Sequence, residues 1–228
     1  AGREHLEKFE CDKARESFSQ AAVESKGYPY DRLGNGLIFE QQLFNYDALN
    51  EYIELAALFP DSAVAYGGIY RIFTLFGYHD TALTYANRYF ELSPESKEAA
   101  LYKVQGLLNA RKFDQAIQDL DGSAGKILDK STANCLKAKA FCYIGNFDSL
   151  ETYLGRAFST ASKEPFPYAL AADVIELTGK HDSAMALSRL STGSIESPVS
   201  AMYRHFYRAL DHHYYADARN TIKLLEQK

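Results

Sequence analysis

The sequence predicts an all-α fold: an α-α superhelix, or solenoid, of about seven helix–turn–helix repeats of about 34 residues each. Three observations lead to it. First, Gly77-Tyr78-His79-Asp80-Thr81-Ala82 recurs 68 residues on as Gly145-Asn146-Phe147-Asp148-Ser149-Leu150, and a further 34 on as Gly179-Lys180-His181-Asp182-Ser183-Ala184. Second, steps of 34 from Ala82 land on Ala14, Ala48, Ala116, Leu150, Ala184 and Ala218 with no insertion between them. Third, the position two residues earlier holds Asp12, Tyr46, Asp80, Asp114, Asp148, Asp182 and Ala216, with Asp47 and Asp217 just after the two exceptions. A fixed period in this range marks stacked units that bury a continuous core against their neighbours.

Each repeat is read as two helices joined by a corner of about three residues. Gly77, Gly145 and Gly179 stand where the first helix should end in a left-handed turn, a conformation open to glycine without steric cost. The aspartates are expected as N-caps of the second helices, accepting from backbone N–H groups that have no partner within the helix. The alanines are expected where neighbouring helices touch.

In chain order, residues 1–9 are the remainder of a first helix, and 11–24 form its partner with Ala14, Phe18 and Ala21 on one face. Tyr28-Pro29 opens the second repeat, with helices to about Leu43 and from Asp47 to Phe59. The third repeat covers 62–92; the fourth pairs 95–110 with a shortened helix near 114–121. A loop is expected through Asp121-Gly122-Ser123-Ala124-Gly125 before a helix over 131–144, and the fifth repeat closes at 148–162. Pro165 and Pro198 begin the next two first helices, where a missing N–H costs nothing. The last helix spans about 215–227, so the repeat boundaries are 1–27, 28–61, 62–95, 96–130, 131–163, 164–197 and 198–228 of one array. Both ends are abrupt, as expected for a piece of a longer protein or for an array that associates end to end.

The pattern within each unit resembles the tetratricopeptide-repeat family, whose 34-residue units read W-x2-L-G-x2-Y, then A-x3-F, then P. The A-x3-F element matches at Ala14/Phe18 and Ala48/Tyr52, and with aliphatic substitutes at Ala116/Leu120, Leu150/Leu154 and Ala218/Ile222. The closing proline matches at Pro60 and Pro94, and the Tyr slot holds Phe39, Phe73, Leu107, Phe141 and Ile175. Gly2 and Gly36 fit the Gly slot, Ala138 and Ala172 are small, and Tyr70 and Phe206 depart from it; no repeat has the Trp. The resemblance covers essentially the whole chain.

Bulk properties narrow the function. A net charge of −5 argues against a phosphate-binding surface, so nucleic acid is not an expected partner. No apolar run approaches the ~18 residues that span a bilayer. Cys11, Cys135 and Cys142 form no evident pair, which favours a reducing compartment such as the cytoplasm. Gly122-Ser123-Ala124-Gly125-Lys126-Ile127 has two residues between its glycines and Ile after Lys, so it is not a nucleotide-binding loop. His205 and His212 lie seven apart on one helix, roughly 10.5 Å along its axis and too far to share a metal ion. His79 and His181 occupy the slot of Phe113, Phe147 and Tyr215 and are expected to pack as rings. No catalytic, cofactor-binding or metal-binding residue is expected, and the chain is not expected to be an enzyme.

What remains is a surface. In the tetratricopeptide-repeat family the first helices line the inner side of the superhelix and make the partner contacts. The resemblance carries one such slot here to Leu37, Arg71, Gln105, Lys139, Asp173 and Tyr207, and a second to Glu40, Thr74, Leu108, Cys142, Glu176 and Leu210. Tyr102, Tyr143 and Tyr203 lie close by in sequence, and aromatic and arginine side chains are common interface anchors. The chaperone-tail clamp of the family is not expected, because its slots hold Leu33, Leu37, Gly68, Glu98 and Tyr102. The expected function is therefore a protein-interaction scaffold that holds a protein or peptide segment in its concave groove. An accessory repeat region of a larger enzyme or signalling protein is the alternative, and an RNA-reading helical repeat a minor one.

Overall fold

The computed structural model describes residues 1–25, 28–160, 165–192 and 199–227, with the side chains at 7, 165–167 and 199–201 left aside. Fifteen helices and no strand occur among them. They are α1 (Gly2–Glu7), α2 (Cys11–Glu24), α3 (Tyr30–Gln41), α4 (Asn45–Leu58), α5 (Ala63–Leu75), α6 (His79–Leu92) and α7 (Lys97–Asn109), followed by α8 (Phe113–Asp121), α9 (Ser123–Ile127), α10 (Lys130–Ile144) and α11 (Phe147–Thr160). The series ends with α12 (Pro165–Glu176), α13 (His181–Ser191), α14 (Val199–Asp211) and α15 (Tyr215–Leu225). The chain comprises two compact units, residues 1–111 and 112–228. No described helix is long and apolar enough to cross a membrane.

The corners are more regular than the sequence suggests. Left-handed residues stand at Phe9, Leu43, Gly77, Arg111, Gly145, Gly179 and His213, each 34 after the last. Where glycine is present the conformation costs nothing; the four other residues adopt it because the helix ends demand it. At Gly77 the Tyr78 N–H reaches the Phe73 carbonyl at 3.0 Å and the Gly77 N–H the Thr74 carbonyl at 3.1 Å, which caps the last turn of α5. The same pair of bonds closes α3 at Leu43-Phe44, α10 at Gly145-Asn146 and α14 at His213-Tyr214. Phe73 meets Tyr78 edge-on across its corner, as Phe39 meets Phe44 one repeat earlier.

Two expectations are corrected. The aspartates are not N-caps: Glu10, Tyr78, Lys112 and Lys180 hold the cap positions without a side-chain bond, and Asp12, Asp80, Asp114 and Asp182 lie in the first turn. There a carboxylate favours the positive end of the helix dipole instead of closing one bond. Side-chain capping occurs at Ser96, Asp129 and Asn146, each accepting from the N–H three residues on. The expected loop after Asp121 is the short helix α9. It carries Ala124 into the core, so an apolar contact holds the segment helical. Pro198, where a first helix is expected to begin, lies outside the described residues.

The repeat slot of small residues is the core. Ala14, Ala48, Ala82, Ala116, Leu150, Ala184 and Ala218 are all buried. Around them, rings fit against glycines. A Cβ built on Gly36 would lie 2.7 Å from Tyr52, and one on Gly68 would lie 2.5 Å from it. One repeat earlier, Phe18 fills the same role between Gly2 and Gly34. One repeat later the sizes invert: Ala86 replaces the ring, and Tyr70 and Tyr102 pack beside it, their rings 4.7 Å apart. That inversion explains why Tyr70 departs from the glycine slot.

Candidate functional site

In residues 1–111 the first helices α3, α5 and α7 border a hollow of about 470 Å³. Leu37 and Arg71, from the first slot, line it together with Tyr102, whereas Gln105 is not among its lining residues. Glu40, from the second slot, lines it too, with Tyr52, Tyr89 and Glu98.

Arg71 is not an idle anchor. Its Nε donates to Glu40 Oε1 at 2.6 Å and its Nη2 to Oε2 at 2.8 Å, a two-pronged pair between α5 and α3. The Tyr52 hydroxyl donates to the same carboxylate at 2.9 Å, and Arg71 stands over the Tyr52 ring. Burial would lower the guanidinium pKa, but the bonds and charge of Glu40 outweigh it and leave it raised. Burial and then Glu40 push the Tyr52 phenol well above its usual range, so it stays protonated and donating. Across the hollow, Glu98 accepts from Tyr89 at 2.8 Å and Tyr102 at 2.9 Å. Arg71 is thus a fastener between successive repeats, and the hollow is lined by aromatic rings and by carboxylates that already accept hydrogen bonds.

Residues 112–228 hold the other expected positions. Asp173 on α12 accepts from Arg204 at 2.8 Å and from buried Arg208 at 2.6 Å, both on α14. It too is committed inside the fold, 31 residues from Arg204 as Glu40 is from Arg71. Burial lowers the Lys139 ammonium pKa, with Asp173 opposing and Arg204 reinforcing the shift. Burial raises the Cys142 thiol, and Tyr143 stacks on Phe113 at 5.2 Å. Tyr207 and Tyr203 remain 59% and 45% exposed. Tyr207 borders a second hollow of about 310 Å³ with Asp173, Arg204, Arg208 and Asp211.

Arg204 and Arg208 fall outside both expected slots, and Glu40 and Glu176 are expected only as slot positions. Arg208 also donates through Nε to Glu176 at 3.2 Å and through Nη1 to Ser188 at 2.9 Å. The available signal was the 31-residue separation of opposite charges, one repeat less one helical turn, seen twice in the chain. His181 packs as a ring, as its slot suggests, but against His212, with centroids 4.0 Å apart.

No protein-family model matches the chain, and no curated protein matches its sequence. Solved structures do resemble it. A tetratricopeptide repeat protein from Parabacteroides merdae is similar over 99% of this chain and 90% of its own, with a TM-score of 0.62 and 20% identity. PilF of Pseudomonas aeruginosa is similar over 86% and 91%, at a TM-score of 0.60 and 14% identity. YrrB, described as a tetratricopeptide repeat protein with an unusual peptide-binding site, is similar over 90% and 99%, at a TM-score of 0.54 and 13% identity. The chain has the tetratricopeptide-repeat fold.

Proposed function

We propose that this chain is a protein-interaction scaffold whose first-helix face receives an extended or helical segment of a partner protein. The observation that carries this reading is the exposure of Tyr203 and Tyr207 on α14, the latter bordering a hollow whose Asp173, Arg204 and Arg208 are already paired with one another. Rings of this kind bury large area on binding with little loss of side-chain freedom. The hollow in residues 1–111 offers further aromatic surface in Tyr89 and Tyr102. YrrB's peptide-binding site supports peptide capture on this fold as a mode this chain could share. In this reading the chain acts by holding a partner and carries out no chemistry itself.

The test is capture of partners by the wild-type chain and by a Tyr203→Ala/Tyr207→Ala double variant, read by mass spectrometry. Both rings are substantially exposed, so the variant should melt with the wild type while retaining far less of the specific partners. Recovery of the same proteins at the same yield would place the interface elsewhere.

A further inference from the structure

Linear spacing sets His205 and His212 too far apart to share an ion, but folding pairs His212 with a different histidine. Glu176 near the end of α12, His181 at the start of α13 and His212 just after α14 bring three ligand atoms within 4.8 Å of one another. His181 Nδ1 and His212 Nε2 each lie 2.5 Å from the same oxygen, Glu176 Oε1. We propose that these three residues form a binding site for a divalent transition metal of the Zn²⁺ type, clamping the α12–α13 corner to the end of α14.

The donor set selects the metal. Two imidazoles and one carboxylate are a common Zn²⁺ set that leaves a fourth position open, whereas Mg²⁺ and Ca²⁺ favour oxygen donors. Bonds of about 2.0–2.2 Å at tetrahedral angles place neighbouring donors roughly 3.3 Å apart, so the nitrogens need to retreat from Oε1 by less than ~1 Å. That movement is small for two side chains that are partly exposed. In the metal-bound form the ion takes the place of the N–H protons that otherwise point at Glu176.

The surroundings are built to orient this carboxylate. Arg208 Nε holds the other Glu176 oxygen at 3.2 Å, and Arg208 is itself fixed by Asp173 and Ser188. Such outer contacts orient metal-binding carboxylates. The charge of Arg208 is spent on two acids, and Asp182 and Asp211 line the adjoining hollows. The hollow next to the two rings measures about 460 Å³ and is bordered by Gly179, Asp182, Ser183 and Tyr214, leaving room for a water or a partner's donor at the fourth position.

The experiment is calorimetric titration of the untagged full chain with ZnCl2, with MgCl2 as the control, alongside absorption spectra of the Co²⁺-loaded chain. Saturable binding of one Zn²⁺ per chain is expected, with none for Mg²⁺, four-coordinate visible bands with Co²⁺, and a higher melting temperature with Zn²⁺. His181→Phe places at this slot the residue found at Phe113 and Phe147, so the ring packing should survive; it should weaken Zn²⁺ at least tenfold and abolish the melting shift. His212→Gln should do the same, and His79→Phe, in the same slot but outside the cluster, should leave binding unchanged. Absence of saturable Zn²⁺ binding, or equal affinity in the His181→Phe and His212→Gln variants, overturns the assignment.

Discussion

Tyr52 sits against Gly68 so closely that a Cβ on the glycine would come within 2.5 Å of Tyr52 Cδ2. The ring is fully buried and meets Gly36 on its other side, so it has no direction in which to retreat. Gly68→Ala should therefore destabilise the fold by about 1–3 kcal/mol, the usual cost of overpacking. Gly155, with nothing within 4 Å of its Cβ position, is the control and should accept alanine without loss. Chemical denaturation of both variants decides the matter, and equal midpoints would show that the ring socket is soft.

Leu43 adopts a left-handed conformation, φ 64°, while 77% exposed. Its side chain therefore gains little from packing, and the backbone bears a cost of ~1–2 kcal/mol that glycine avoids. Glycine's greater freedom in the unfolded chain opposes this by ~0.5–1 kcal/mol. Leu43→Gly should then stabilise by about 0.5–1 kcal/mol. A lower urea midpoint for the variant would mean that Leu43 contributes contacts which outweigh its strain.

The Glu40–Arg71 pair is about a quarter exposed, at 21% and 28%. Breaking it should cost less than the ~3–5 kcal/mol of a fully buried pair, yet clearly more than a surface bridge. Arg71→Leu leaves Glu40 and the Tyr52 hydroxyl facing each other without the cation. The double variant Glu40→Leu/Arg71→Leu removes both charges and should recover part of the loss. A double-mutant cycle with no coupling would show that the two residues act independently.

His205 is buried, with Nδ1 at 2.9 Å from Ser188 Oγ. Burial holds its pKa below the usual imidazole value; the charge of Asp217 opposes that shift, and Arg208 and Arg189 add to it. The folded chain thus takes up its proton at lower pH than the unfolded chain. Stability should be full above about pH 7 and fall as pH drops through ~6.5, where the unfolded imidazole titrates. Glu176 and Asp217, with lowered pKa values, act in the same direction but only below ~4.5. His205→Gln should flatten the urea midpoint between pH 7.5 and 5.5; an unchanged slope would assign the acid sensitivity to other groups.

The period and the places where helices meet are legible in the sequence alone, because each repeat must solve the same local problem. A corner needs a left-handed residue and a close crossing needs a small one, so Gly77 and Ala82 announce their slots and the 34-residue step extends them to Leu43 or Ala218. The capping role assigned to Asp80 missed by two positions, since an aspartate in the first turn and one at the cap look alike without backbone angles. Tertiary structure alone decided which partners the surface residues take. Arg71 with Glu40, Asp173 with Arg204, and His212 with Glu176, which also holds His181, are contacts between successive repeats, made diagonally at 31 to 36 residues. The partners change from repeat to repeat, and the 31-residue spacing of opposite charges is shared by Glu40–Arg71 and Asp173–Arg204 but not by Glu176–His212, so the 34-residue period does not record them; the stacking register brings those atoms within bonding distance.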